Sequence, residues 1–178
     1  MRINLFGGPG SGKSTTAAWL FAMMKKQLIS VELVTEYVKA WACQKRQIRG
    51  FDQVYLFGKQ MQYEYRFLSS GIKNIVTDSP TFLSPVYAKL YMPNSNMWKS
   101  LVEINLEYDK EQPATNIFLL RGDKPYIQEG RYQDKEGAMA IDVLIREMLE
   151  EFYPKSTIYL PYADSDKVLA EVLSRAAR

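Results

Sequence analysis

The 178-residue chain has no histidine. Proton transfer near neutral pH therefore falls to a carboxylate, a lysine or a tyrosine. Cysteine is almost as scarce: Cys43 stands alone, which excludes an internal disulfide and a thiolate metal cluster and predicts a reducing, cytoplasmic setting. No apolar run is long enough to cross a bilayer, and too few apolar residues precede the first glycines to make a signal peptide, so no membrane partner is expected. Neither sign of charge dominates. The 23 basic and 20 acidic residues leave +3, too mild a balance to predict nucleic-acid binding. Repeats, linkers and low-complexity stretches are missing too, so residues 1–178 read as a single domain.

What is present is a strong local signal near the start. Gly7-Gly8-Pro9-Gly10-Ser11-Gly12-Lys13-Ser14 fits G-x-x-x-x-G-K-[ST]. A short apolar strand over 3–6 leads into it, and a helix over 15–28 leaves it. A triphosphate needs several converging backbone N–H donors, and a turn poor in Cβ atoms lets the chain come close enough to supply them. The helix N-terminus adds unpaired N–H groups and the positive end of its dipole. Gly8, Pro9, Gly10, Ser11, Gly12, Lys13, Ser14 and Thr15 are the expected cradle for ATP. Lys13 is expected on the β- and γ-phosphates, and the Ser14 hydroxyl on Mg²⁺.

The remaining chain alternates strands and helices. Strands are predicted over 30–35, 74–77, 116–120 and 157–160, and helices over 37–49, 52–68, 81–91, 97–107, 138–152 and from 164 or 165 onward. In the first helix Ala17, Leu20, Phe21, Met24 and Leu28 form the expected buried stripe. Met139, Val143, Ile145, Met148 and Leu149 do the same in the helix over 138–152. Such alternation predicts an α/β fold: a five-stranded parallel sheet in a three-layer α/β/α sandwich. Sites in such sheets lie beyond the C-terminal strand ends, which groups the phosphate loop with Glu36, Asp78 and the residues from Arg121 on.

Asp78 ends an apolar strand, where a carboxylate can hold Mg²⁺. Ser79 follows it, in place of the glutamate that motor ATPases use to activate water, and no N-K-x-D guanine-recognition motif occurs. Both absences favour transfer to an organic acceptor over hydrolysis. Glu36 is the second strand-end carboxylate and the expected acceptor of the proton from a substrate hydroxyl. Arg131, and after it Arg121, are the cations expected to neutralise transition-state charge from a charged, mobile lid over 122–137 that also holds Lys124. Trp41, Tyr55, Phe57, Phe82, Tyr87 and Tyr91 are candidate stacking rings, and Gln53 and Gln60 candidate readers of a base edge.

On these residues the whole chain resembles the P-loop nucleoside and nucleotide kinases. Within them it is most similar to the AAA-type ATPase/kinase family that includes the nicotinamide-riboside kinase domain of bacterial NAD-salvage regulators; small P-loop proteins of this type also occur in bacteriophage genomes. The carrying features are the loop, Glu36-Tyr37, Asp78-Ser79-Pro80 and Glu129-Gly130-Arg131. Glu36-Tyr37-Val38-Lys39-Ala40-Trp41 is also similar to the E-P-V-x-x-W stretch of deoxynucleoside kinases, with Tyr37 in place of the proline. That resemblance implies Glu36 as base for a sugar hydroxyl. The acidic-Arg-Ser motif of those enzymes becomes Asp78-Ser79-Pro80, without the arginine. The expected activity is ATP- and Mg²⁺-dependent phosphorylation of a nucleoside, a nucleotide or a ribosyl compound such as nicotinamide riboside. Two alternatives stand beside it: a kinase acting on nucleic acid, at a polynucleotide end or a hydroxylated base, and a regulatory ATPase without an acceptor.

Overall fold

The computed structural model describes residues 1–123, 125–162 and 164–176; Lys124 of the charged loop lies outside them. Among these residues, five strands form one sheet: β1 (Arg2–Phe6), β2 (Val31–Val34), β3 (Asn74–Thr77), β4 (Ala114–Leu120) and β5 (Thr157–Pro161). All pairings are parallel and the spatial order is β2-β3-β1-β4-β5, with β1 at the centre. Among the described residues, seven helices connect and cover the strands: α1 (Lys13–Lys26), α2 (Lys39–Cys43), α3 (Asp52–Ser69), α4 (Leu83–Tyr91), α5 (Met97–Glu111), α6 (Lys135–Phe152) and α7 (Ser165–Ala176).

The strand period of two divides the core into two layers. Ile3 and Leu5 face α1 and α7, where they pack with Ala17, Leu20, Met24, Val168 and Val172. Phe6 points to the opposite face and packs with residues of α3 to α6, including Phe57, Phe82, Trp98, Ile145 and Met148. Near the N-terminal end of β1 the second layer holds charge. Arg2 is fully buried and donates to Glu64 at 2.8 Å, to Asp109 at 2.5 Å and to Thr81 at 3.1 Å, with the Tyr108 ring 4.1 Å from its guanidinium. This network ties α3 and α5 to the central strand and leaves the other end of the sheet free for the site.

Several predicted boundaries move, each for a local reason. The helix or part-helix expected over 37–49 is a single turn, because Lys45 adopts φ 54° and the chain turns away. Leu28 is 94% exposed rather than part of the buried stripe. It sits at φ 60° just past α1, where the Ile29 amide returns to the Met24 carbonyl and closes the helix. In α6 the buried stripe is Ala138, Ile141, Ile145, Met148 and Leu149, leaving Met139 and Val143 about half exposed. That helix also begins three residues earlier than expected, since Asp134 caps it by accepting from the Gly137 amide at 2.8 Å. The charged loop therefore ends at residue 134.

Candidate active site

The loop between β1 and α1 wraps an open cradle at the C-terminal edge of the sheet. Gly10 adopts φ 76° and Gly12 φ 102°, conformations that suit glycine. Gly8 has a different reason to lack a side chain: a Cβ there would lie 2.5 Å from the Ala138 carbonyl. Lys13 folds back and donates to the Gly7 carbonyl at 2.7 Å and to the Gly8 carbonyl at 3.0 Å. Burial pushes its ammonium below the usual lysine range, against the pull of Glu36, Asp78 and Asp142. Ser14 and Thr15, in the first turn of α1, are exposed towards the cavity.

The two strand-end carboxylates converge on this cradle. Asp78 follows β3, is 6% exposed, and its Oδ1 is buried with no hydrogen-bond partner. An orphaned carboxylate oxygen beside an anion-binding loop suits a hydrated divalent cation. Glu36 follows β2 and lines the cavity. Burial raises its carboxyl above the usual glutamate range and Asp78 adds to this, while Lys13, Lys39 and Arg131 pull it down.

The cavity is about 320 Å³ and lies between the phosphate loop, α2, α3, α4 and the loop over 125–133. That is the size of a small-ligand site. Gln53 and Gln60 line its floor and are almost fully buried; Gln60 donates to Thr77 at 3.3 Å. Of the candidate rings, Tyr87 and Tyr91 line it, stacked at 6.1 Å. Phe57 and Phe82 belong to the core instead. Trp41 and Tyr55 stack on one another at 5.9 Å, outside the cavity lining.

The charged loop is drawn over the cavity by contacts on three sides. Lys39 donates to the Gly130 carbonyl at 3.0 Å, the Tyr132 hydroxyl to the Arg46 carbonyl at 2.7 Å, and Gln133 to the Tyr91 hydroxyl at 3.4 Å. Arg131 lines the cavity with its guanidinium 5.3 Å from the Tyr126 ring. Arg121 does not ride on this loop. It is fixed at the cradle, donating to the Pro9 carbonyl at 2.9 Å and to Asp142 at 2.8 Å. Asp142, Tyr126 and Tyr132 were not among the residues expected from sequence. Asp142 reads there as one more polar position on an amphipathic helix, and the two tyrosines lie in a stretch without periodicity.

An AAA-domain profile matches residues 2–164. The chain belongs to the AAA-domain family. No curated protein sequence matches this AAA-domain protein. Among solved structures it is similar to NadR protein in complex with NR, at a TM-score of 0.77 and 16% identity over 99% of this chain and 52% of that one. A NadR complex with NAD and AMP-PNP gives a TM-score of 0.74 at 15% identity, over 99% of this chain and 49% of that one. The chain thus spans about half the length of NadR. Deoxyadenosine kinase from M. mycoides with bound dATP gives a TM-score of 0.64 at 16% identity, over 100% of both chains. The AAA-domain protein therefore shares the α/β sandwich of P-loop kinases.

Proposed function

We propose that the protein is an ATP- and Mg²⁺-dependent kinase that phosphorylates a hydroxyl of a nucleoside, a nucleotide or a related ribosyl compound such as nicotinamide riboside. One observation carries the reading. Glu36 and Lys13 line one cavity beside the phosphate loop, and the buried Asp78, whose Oδ1 has no hydrogen-bond partner, lies close enough to influence both. The amides of Gly10, Gly12, Lys13, Ser14 and Thr15 hold the triphosphate, with Gly8, Pro9 and Ser11 shaping the turn. Ser14 and Asp78 hold Mg²⁺, which supplies charge neutralisation at the phosphates. Glu36 takes the proton of the acceptor hydroxyl as its oxygen bonds to the γ-phosphorus and the bond to the bridging oxygen of ADP breaks. Arg121 supplies positive charge from the cradle and Arg131 from the loop over the cavity. The loop over 125–134 is the lid of a single domain, and its tyrosines exclude water while the acceptor is bound.

Similarity to NadR bound to NR and to a deoxyadenosine kinase supports this chemistry, and Ser79 in the position after Asp78 speaks against water as the usual acceptor. The test is incubation with ATP, Mg²⁺ and a panel of nucleosides, nucleotides and nicotinamide riboside, followed by product mass. A monophosphate increment on at least one acceptor is expected. ATP hydrolysis with no phosphorylated product from any acceptor, stimulated only by a protein partner, would overturn the reading in favour of a regulatory ATPase.

A further inference from the structure

The charge of the chain is not evenly spread. Residues 37–73 contain seven basic side chains (Lys39, Lys45, Arg46, Arg49, Lys59, Arg66 and Lys73) against two acidic ones, Asp52 and Glu64. Glu64 is buried on Arg2, and Asp52 accepts from the Arg49 amide. This segment is therefore strongly positive, while the remainder has sixteen basic against eighteen acidic residues. Among the described residues, ion pairs form at Arg2, Lys25, Lys110, Arg121, Lys167 and Arg175, and at none of the seven cations of the segment.

These cations lie among aromatic rings. The Arg46 guanidinium sits 3.5 Å from the Trp41 ring centre, Lys59 5.8 Å from Tyr55, and Arg66 4.7 Å from both Tyr63 and Phe67. Tyr37 joins the rings together, 6.1 Å from Trp41, 5.9 Å from Tyr55 and 5.6 Å from Tyr63. Tyr37 also lines the cavity, as do Lys39 and Ile48. The aromatic and cationic face of α2 and α3 is thus continuous with the mouth of the candidate active site. Tyr55 is 47% exposed and Phe51 69%, so rings remain open to a further flat partner.

Unpaired cations spaced along a face track a phosphate backbone, and open rings accept bases of any sequence. We propose that the α2–α3 face binds single-stranded nucleic acid and that the terminal nucleoside of that strand, whose 5′- or 3′-hydroxyl is not esterified, supplies the hydroxyl presented to Glu36. The inference rests on the kinase reading above and narrows its acceptor. A single strand fits better than a duplex, because a cavity of about 320 Å³ suits one unstacked nucleoside better than a base pair.

The experiment has two arms that fail separately. In the first, fluorescence anisotropy follows a labelled mixed-sequence single strand of roughly 16 nucleotides, without ATP, from about 50 mM salt upward. Binding is expected, with log affinity falling against log salt at a slope of about −3, as for four or five phosphate contacts. The variant Lys45→Ala/Arg49→Ala/Arg66→Ala, altered only at exposed positions, should bind about tenfold or more weakly and show a slope shallower by about 2. Tyr55→Ala should also weaken binding. Absence of binding at the lowest salt, affinity unchanged in a triple variant that melts like the parent, or equally strong competition by polyglutamate would each overturn the surface, the last pointing to an acidic protein. In the second arm, radiolabel from γ-labelled ATP is expected on the oligonucleotide, and the triple variant should lower this transfer while leaving transfer to free nucleosides unchanged. Label on nucleosides alone overturns the polymeric acceptor and leaves the kinase reading. Salt-dependent strand binding with label on nothing overturns the kinase reading instead.

Discussion

Asp142 accepts the Gly8 amide at 2.5 Å, so a helix distant in sequence closes the first turn of the phosphate loop. Its second oxygen takes Arg121 at 2.8 Å, and Arg121 reaches on to the Pro9 carbonyl. The shape of the cradle thus depends on α6 as well as on its own glycines. Asp142→Ala removes an acceptor and an ion-pair partner from a site that is mostly buried. The cost expected is about 1–3 kcal/mol, a fall of roughly 3–8 °C in melting temperature for a chain of this size. Asp142→Asn keeps an acceptor for Gly8 and should fall less. Differential scanning calorimetry decides it, and equal losses in the two variants would assign the whole effect to charge.

Glu36 is the residue whose protonation should be visible in kinetics. Its carboxyl is raised by burial and by Asp78. A base must be ionised to act, so kcat/KM should rise with pH through a limb above the ordinary glutamate range and be lost as pH falls through it. Glu36→Gln should lower kcat by about 10²-fold or more and abolish that limb. A pH profile of the variant parallel to that of the parent would place the titrating group elsewhere.

Much of this site is readable from local pattern. The glycine loop, Glu36 and Asp78 each follow an apolar, β-branched strand, and the parallel alternation of elements carries all three to one edge. Long-range partners are not readable in the same way. Nothing near Asp142 marks it as the partner of Gly8, because the contact spans 134 positions and depends on how α6 lies across the sheet. The one-turn α2 escapes for another reason: the left-handed turn at Lys45 uses a residue whose type does not announce it. The +3 net charge likewise hides the basic segment over 37–73, since a sum over the chain discards position.

At the opposite end of the sheet, the Arg2–Glu64 pair provides a test of the core that is independent of catalysis. Both side chains are fully buried, and Glu64 Oε1 lacks a hydrogen-bond partner. Burial pushes the Glu64 carboxyl up to about 7 while Arg2 pulls it down. Arg2→Met leaves Glu64 and Asp109 without their cation and should cost about 3–5 kcal/mol. Arg2→Met/Glu64→Leu removes the buried charge together with its partner and should recover a large part of that loss. Urea unfolding of the parent, the single and the double variant closes the comparison; a double variant no more stable than the single one would show that unpaired Glu64 is not what destabilises Arg2→Met.

The proposed lid offers the last test, through what happens when no acceptor is present. Tyr132 holds the lid to the segment after α2 by its bond to the Arg46 carbonyl, and Tyr126 rests on the phosphate loop at Gly10. If these contacts keep water from the transferred phosphoryl group, loosening them should increase ATP hydrolysis without acceptor. Tyr132→Phe removes one hydrogen bond worth about 0.5–1.5 kcal/mol, so the open lid should gain about 2–10-fold in population and acceptor-free hydrolysis should rise in proportion. Gly10→Ala acts from the other side: its Cβ would stand 2.9 Å from the Tyr126 ring at a residue with φ 76°. It should displace both lid and loop, weakening ATP binding as well as leaking phosphate. Phosphate release measured under saturating ATP separates the two variants, since only Tyr132→Phe should leak at an unchanged KM for ATP. No increase for Tyr132→Phe would mean that closure of the lid is not what excludes water.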